Sequence, residues 1–575
     1  MRKLSVLIGL FVCVLAAPSF SWAGTCPTGA NYLNTTNPTG PLVTLSSLGV
    51  TNCFYIAANG SDSNDGASEV SGHPWAHAPG MTSCTGNCAA NKPAGGDGYI
   101  FRGGDTWHEG NSSASPYTGG TWAWTWSGAS SAYMYIGVDP AWYSGASWVR
   151  PVITGDNPPS TSAVSNCRYS TGAHNLLVGL QGIRYYFFDN FEITGLCASD
   201  KSLWNDLMAY SGAVAGFNGN NTMVIENNYF HGITYTTAAT QDAVTAASGY
   251  NQNWGVLFRF NVVDGSDGDP HALSIFGQGT DTYDIEYNWF YDTGGSNVSD
   301  VMHVVHDNVW EDFYNVSDGS THSDLLQVES EQGSSNYVGD GTPNLWYDNL
   351  IYNLPGAVSA VWLISAPTNY TDYIFNNVVH DYNANGGNFL NICDTSCPAA
   401  PTALEVFNNT MESPTQGYGG CIFCNINGSS PKITSVNNQW ITAGSTIASV
   451  FQFPSYVTES TPVYQTITQA NGQGYNSADN FAPTASSNST VTASGADEYG
   501  EICSTLAAAG ASSNAVAACR SGTTDGCSYD SSNHTVRCPS GNTRPSSGSW
   551  NVGAYQFAGI QPSSPTSLTG QAVPQ

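Results

Sequence analysis

Along most of the chain, short apolar runs alternate with clusters of Asn, Asp, Gly, Ser and Thr, and the spacing of an amphipathic helix is almost absent. That pattern predicts short strands joined by turns. One phrase recurs: FFDNFEI at 187–193, IENNYF at 225–230, FRFNVV at 258–263, IEYNWF at 285–290 and VHDNVW at 305–310, then WYDNLI, IFNNVV, VFNNTM and SVNNQW. Aligned on the asparagine, the copies are marked by Asn190, Asn228, Asn261, Asn288, Asn308, Asn349, Asn377, Asn409 and Asn438, with steps of 38, 33, 27, 20, 41, 28, 32 and 29 residues. Fixed strands with insertions collected in the turns produce such steps, whereas helical repeats hold their length more closely.

The expected fold is all-β, a right-handed parallel β-helix with about ten or more coils and long turn insertions. Each coil lays its strands about 4.8 Å above those of the coil before, so like residues stack. Stacked asparagines hydrogen-bond amide to amide along the axis, and Asn tolerates the left-handed backbone of a sharp turn. The position three before each asparagine holds Phe187, Ile225, Phe258, Ile285, Val305, Trp346, Ile374 and Val406, one apolar column that should face the core. Two before it, Glu226, Arg259, Glu286 and His306 alternate in sign, as in a surface ladder of ion pairs. Arg259 is also a candidate substrate-binding group, one of few cations near the acidic coils.

A second column lies upstream of the asparagines in QDAVTAA from Gln241, PHALSIF from Pro270, SDVMHVV from Ser299 and SDLLQVE from Ser323. In register it places Asp242, His271, Asp300 and Asp324 at one strand start, Val244, Leu273, Met302 and Leu326 inward, and Thr245, Ser274, His303 and Gln327 outward. Later coils carry no carboxylate at that place, in the strands at 357–363, 388–392 and 421–424. Asp264, Asp267, Asp269, Asp318 and His322 flank the group, so these four coils form the candidate groove. Carboxylates on adjacent coils would stand at ~5 Å and those two coils apart at ~10 Å. Separations near 5 Å suit retaining glycoside hydrolysis and about 6.5 to 9.5 Å suit inversion. Asp242, Asp300 and Asp324 are therefore the candidate acid/base groups, with His271 and His303 sharing proton work and Gln327 and His322 as substrate contacts. Turn chemistry alone also places Asp and Ser at strand starts. Clustered carboxylates with turn carbonyls also suit calcium, with Asp267 and Asp269 as possible ligands. Trp122, Trp124 and Trp126 alternate, so a strand points all three one way. Such a row either stacks sugar rings, with Trp124 as the contact, or packs beneath the first coils.

The ends of the chain refine the picture. FYIAANGSDSNDG at 54–66, followed by HPWAHA, is similar to the entry strand and turn of secreted right-handed β-helix proteins of the pectin-lyase-like superfamily. RPSSGSWNVGAYQF at 544–557 resembles the closing strand of such proteins. The resemblance implies a polysaccharide-active protein of that fold, without marking one enzyme. The chain lacks the Asn-Thr-Asp, Asp-Asp, Gly-His-Gly and Arg-Ile-Lys blocks of polygalacturonases, and the Trp-Ile-Asp-His and paired-arginine blocks of common pectate lyases. A lysine base would have to come from Lys92, Lys201 or Lys432.

Residues 1–23 have the basic start, apolar stretch and small-residue site of a signal peptide. Residues 24–98 are then an N-terminal cap and entry strand, 99–558 the β-helix body with an irregular cysteine-bearing segment at about 445–540, and 559–575 a disordered tail. Removal of Cys13 leaves 14 cysteines, an even number that favours disulfides in an exported chain. Local pairs are Cys84 with Cys88, Cys503 with Cys519 and Cys527 with Cys538, while Cys393, Cys397, Cys421 and Cys424 suit disulfides or zinc. With 43 acidic residues against 11 basic ones after loss of Arg2 and Lys3, the net charge is near −32, which repels nucleic acid. No later stretch is apolar enough to span a membrane. The expectation is a secreted monomer cleaving polysaccharide by carboxylate hydrolysis, with no required cofactor. A calcium-dependent lyase and a noncatalytic glycan-binding protein are the alternatives.

Overall fold

The recurring phrase folds as stacked parallel strands in a computed structural model of the chain. The structure describes residues 23–28, 44–109, 121–167, 174–198, 204–211, 223–237, 244–249, 255–268, 273–276, 283–293, 302–312, 325–328, 344–354, 360–364, 371–382, 388–392, 403–413, 423–424, 432–442, 450–451, 454–484, 487, 495, 500–523, 527–530, 535–537 and 541–557. The two halves of each phrase flank a sharp turn. The strand before it joins a 14-stranded sheet, and the strand after it joins a 12-stranded sheet. A third side carries a five-stranded and a four-stranded sheet. Within the three sides pairing is parallel, apart from the antiparallel strand Gly24–Thr25 that closes the first edge, and the whole is a right-handed parallel β-helix.

The turn between the first two sheets is built on asparagine. From Asn261 to Asn438, each Oδ1 accepts both the backbone N–H and the Nδ2 of the asparagine one coil before it, at 2.9–3.2 Å. Each Nδ2 from Asn228 onward also donates to the carbonyl of an inward residue one coil earlier, such as Ile225, Phe258 and Ile285. These rungs are at most 1% exposed. The left-handed residue is the one before the rung: Asn227, Phe260, Tyr287, Asp307, Asp348, Asn376, Asn408 and Asn437 all have φ near +55°. In the first copy the register is shifted by one. Asp189 pairs with Glu226, so Asn190 takes the left-handed place (φ 66°) and the N–H of Phe191 donates to Asn228. The inward residue there is accordingly Phe188, while Phe187 faces outward. The other seven residues of the apolar column lie in the central core as expected.

Both end motifs are structural. Asp62 accepts from the N–H groups of Ala76, His77 and Thr85 and from His77 Nδ1, Asp65 pairs with His73 at 2.8 Å, and the buried Trp75 stacks on Phe54. This binds HPWAHA to the turn before it. The expected closing strand at 544–557 does not form. Gly548 and Gly553 adopt φ of 94° and 91°, conformations an extended strand excludes, and the segment runs outside the helix instead. The described residues between 501 and 557 cover the asparagine-turn edge as a strap. Its helices Ile502–Ala508 and Ser513–Cys519 pack on Leu345, Tyr347, Tyr373, Phe375, Phe407 and Val436. Residues 466–484 close the last coil by packing Ala470, Tyr475 and Phe481 on Ile441 and Val463.

Cys84–Cys88 and Cys503–Cys519 are disulfides, as the spacing indicated. Cys26–Cys53 and Cys167–Cys197 are two further bonds, between residues too distant in sequence to pair by spacing. Cys527 is also disulfide-bonded, while Cys538, Cys393, Cys397 and Cys421 lie outside the described residues, as does the expected signal peptide but for Ala23. Among the described residues no helix is long and apolar enough to cross a membrane.

One core group is not neutral by nature. Glu109 follows the strand Thr106–His108, is 6% exposed, and has a buried Oε2 that no described residue hydrogen-bonds. Burial pushes its carboxyl up to about 8. The folded state therefore holds a proton that the unfolded chain releases above its ordinary value of about 4.5, so stability falls as pH rises from there towards 8. Glu109→Gln is expected to match the parent near pH 4 and to melt at least about 3 °C higher at pH 8, by calorimetry. Equal melting temperatures at pH 8 would show that the carboxyl finds a partner or water.

Candidate active site

Two of the three long edges of the helix can be compared directly. The asparagine-turn edge is sealed along its later coils by the strap. On the edge after the 12-stranded sheet the described strand ends carry chemistry. Strand pairing aligns Asp264, Tyr291, Glu311, Tyr352 and His380 in one outward row, one strand apart. The next residue is left-handed in four consecutive coils: Asp292, Asp312, Asn353 and Asp381, with φ of 47° to 57°. Asp and Asn bear this backbone more easily than most residues, which explains why carboxylates recur at this turn.

The row is partly desolvated. Tyr352 hydrogen-bonds Glu311, Asp312 bonds the Asn353 side chain, and the Asp292 N–H donates to Glu311 O at 3.0 Å. Burial, and then the charge of Asp312, raises the Glu311 carboxyl above its usual range. Burial also raises Asp312, and Tyr291 is raised by burial and by the surrounding carboxylates Asp312, Glu311, Asp292 and Asp264. At one end His231 stacks on Tyr229 and bridges Glu192 (3.0 Å) and Asp267 (2.7 Å). Burial alone would lower His231, but hydrogen bonds to Asp267 and Glu192 prevail and push it up to about 9. At the other end His380 bonds Asn480 of the closing cap at 2.7 Å, which takes it out of the open row. Asp264 is itself buried, so the partly exposed stretch runs from Tyr291 to Asn353.

The expected groove is described only in part. Asp242, Asp269, His271, Asp300, His322 and Asp324 lie outside the described residues. Val244 pairs with Leu273 as the second column required. Met302 does not join them: it pairs with Tyr283, so Met302 and His303 start a strand of the 14-stranded sheet. The physical reason is the length of that coil. With 20 residues between Asn288 and Asn308, SDVMHVV is needed to re-enter the first sheet and cannot also line the third side. Leu326 and Gln327 pair with Trp362 and Leu363 in the four-stranded sheet, whose strands Ala360–Ile364, Asn388–Ile392 and Phe423–Cys424 are those expected to follow.

Three other expectations change. Trp124 is fully buried beside Trp122 and donates its Nε1–H to Trp126 O, so its ring packs the core and is closed to a sugar. Arg259 does not stand free as a substrate clamp. It pairs with Glu226 at 2.7 Å and Glu286 at 3.6 Å in a ladder that is buried and not superficial, continued by His306 between Glu286 and Asp307. Asp267, a possible calcium ligand, instead accepts from His231 and the Gly232 N–H. Among the described residues no three His, Cys, Asp or Glu side chains converge as for a metal ion. The tyrosines and the Glu311 and Asp312 pair were missed because Tyr291, Glu311 and Tyr352 follow the asparagine instead of preceding it; their common offset from Asn288, Asn308 and Asn349 was the available signal.

No protein-family model and no curated protein matches the chain. Solved structures with a similar fold include the GH136 lacto-N-biosidase from Eubacterium ramulus, at 12% identity and TM-score 0.37 over 72% of this chain and 68% of that one. Pectate lyase Pel9A aligns at 14% identity and TM-score 0.38 over 89% of this chain and 99% of its own. XylC in complex with xylose aligns at 10% identity and TM-score 0.28, over 68% and 69%.

Proposed function

We propose that this protein is exported and acts on polysaccharide, cleaving glycosidic bonds by carboxylate acid/base hydrolysis along the edge that follows the 12-stranded sheet. The observation that carries the reading is Glu311, a half-buried carboxyl held above its usual range, adjacent in sequence to Asp312 and one coil from Asp292, whose N–H donates to Glu311 O. Hydrolysis needs one carboxyl protonated and another ionised on the same substrate, and partial burial of neighbouring carboxylates separates their protonation in that way. Glu311 supplies the acid, and Asp292, Asp300 or Asp324 supplies the base or nucleophile. Tyr291 offers a ring and hydroxyl to a sugar, while Tyr352, stacked on His380, holds Glu311 through its hydroxyl.

The test is release of new reducing ends from a panel of neutral and acidic glycans, with and without chelator. Saturated products and no effect of chelator are expected, and products absorbing in the ultraviolet would overturn hydrolysis in favour of lysis. Glu311→Gln, Asp300→Asn and Asp324→Asn are each expected to lower kcat roughly a hundredfold. Unchanged kcat in all three would place the chemistry elsewhere.

A further inference from the structure

The cap that closes the last coil also returns to the candidate edge. Its residues Asn480 and Phe481 are both left-handed, with φ of 49° and 58°, and Ala482 after them packs with Leu350 and Val378 on the outward face of the 12-stranded sheet. There the cap meets His380. The strand of His380, Val378–Tyr382, lies three strands before the last strand of that sheet, Val463–Gln465, so the chain has turned back by roughly 14 Å. His380 is buried, donates from Nε2 to Asn480 Oδ1 at 2.7 Å and pairs through Nδ1 with Asp381 at 3.0 Å. The Phe481 ring stands edge-on to it at 5.7 Å. Asn480 is held from its other side by the Tyr555 hydroxyl, which donates to Asn480 O at 3.0 Å.

Glu311, Tyr352 and His380 hold one register position in three successive coils. The Tyr352 ring stacks on His380 at 5.4 Å and 12° from parallel, and its hydroxyl donates to the Glu311 carboxyl. A neutral carboxyl has two oxygens and one proton. When a hydroxyl donates to one oxygen, the proton stays on the other, so the direction of the tyrosine hydroxyl sets where the acidic proton points. A half-buried tyrosine left to itself samples several ring orientations. Stacking on an imidazole whose own plane is fixed by Asn480 and Asp381 removes that freedom.

We propose that Asn480 of the closing cap is a positioning residue for the candidate reaction: through His380 it holds Tyr352 in the one orientation that aims the Glu311 carboxyl. The inference rests on the reading of Glu311 as the acid. It makes the cap part of the site as well as the end of the core, and it gives His380 a task although the ring itself is closed to substrate.

The titration of Glu311, followed by carbon NMR on the full chain labelled at glutamate Cδ and assigned with Glu311→Gln, tests this. The hydroxyl favours the ionised carboxyl, so Tyr352→Phe is expected to raise the midpoint by about one unit and Asn480→Gly by about half a unit. Glycine suits the left-handed backbone at 480, so the change removes the amide without straining the cap. In the Tyr352→Phe protein, Asn480→Gly should move the midpoint no further, because the route is already cut. Among the described residues, the other titratable groups around Glu311 are Asp312 beside it, Tyr291 and Asp292 one coil before and Asp264 one coil further, and none is altered. The alkaline limb of kcat/KM should shift with the midpoint, while kcat falls about tenfold in Tyr352→Phe and about threefold in Asn480→Gly. A parental midpoint in Asn480→Gly, or an equal further shift in the double variant, would overturn the positioning role. Should Asn480→Gly fail to fold, His380→Phe, which keeps a ring on Tyr352 but cannot donate to Asn480, must give the same pattern. Unchanged kcat in Glu311→Gln, with the midpoint shifts intact, would instead overturn the hydrolysis reading and not the positioning of the carboxyl.

Discussion

Replacing Asn288 by alanine is expected to destabilise the protein by roughly 2–6 kcal/mol, because four hydrogen bonds of one buried rung are lost at once. The N–H and Nδ2 of Asn261 lose the acceptor they share at 2.9 and 3.2 Å, while Phe258 O and Asn308 Oδ1 lose a donor at 2.9 Å each. No water reaches them in a rung that is 0% exposed. Each bond contributes about 0.5–1.5 kcal/mol, with Asn261 Nδ2 keeping Ile225 O and Asn308 Oδ1 keeping the N–H of residue 288, and the sum is reduced where neighbours relax. The measurement is the shift in urea midpoint at unchanged slope. A loss below about 1 kcal/mol would mean that the rungs are ornamental and the apolar column alone sets the register.

The second large effect is expected at Arg259. Its guanidinium lies between Glu226 and Glu286, and Glu226 is 1% exposed and next to Asp189 in the strand register. Burial and the Glu226 charge already push Asp189 up to about 8, so the coil beneath holds a neutral carboxyl that accepts a 2.6 Å bond from Tyr135. Arg259→Met removes the cation and leaves two buried carboxylates against one histidine, a loss of about 3–5 kcal/mol at neutral pH. The sign of the pH dependence follows. An uncompensated carboxylate takes up a proton more readily in the folded state than in the unfolded chain, so the penalty grows as pH rises above about 4.3 and vanishes below it. Melting curves of parent and variant should therefore converge near pH 4 and separate towards pH 7. A constant gap across that range would assign the effect to lost packing of the side chain.

The fold was legible because its period is written in residues that do one thing. Asn228 to Asn438 mark the turn, and Ile225 to Val406 mark the core, so strand, turn and inward direction follow from the phrase. Asn190 shows the limit: DNF and NNY look alike as text, but the register depends on which residue is inward, and Phe188 and Phe187 are equally apolar. The burial of Arg259 escaped for a related reason, and for Trp124 packing beneath the first coils was one of two open readings. A strand pattern states which residues share a face, and only the strap, cap and N-terminal insertions decide which faces remain open. The candidate groove was half visible. Its carboxylates Asp242, Asp300 and Asp324 lie outside the described residues, and Met302 and Leu326 show that equal spacing from an asparagine does not guarantee one sheet when a coil shortens to 20 residues.

The asparagine rungs have one more consequence. Each recognises only the rung before and the rung after it, through atoms that are the same at every level. Nothing in this contact records how many levels there are. An entire turn of the solenoid can thus be gained or lost by duplication or excision between equivalent asparagines wherever strap and cap do not rest on it, stability changing by that turn's own contribution and the span of the acidic edge by one coil pitch.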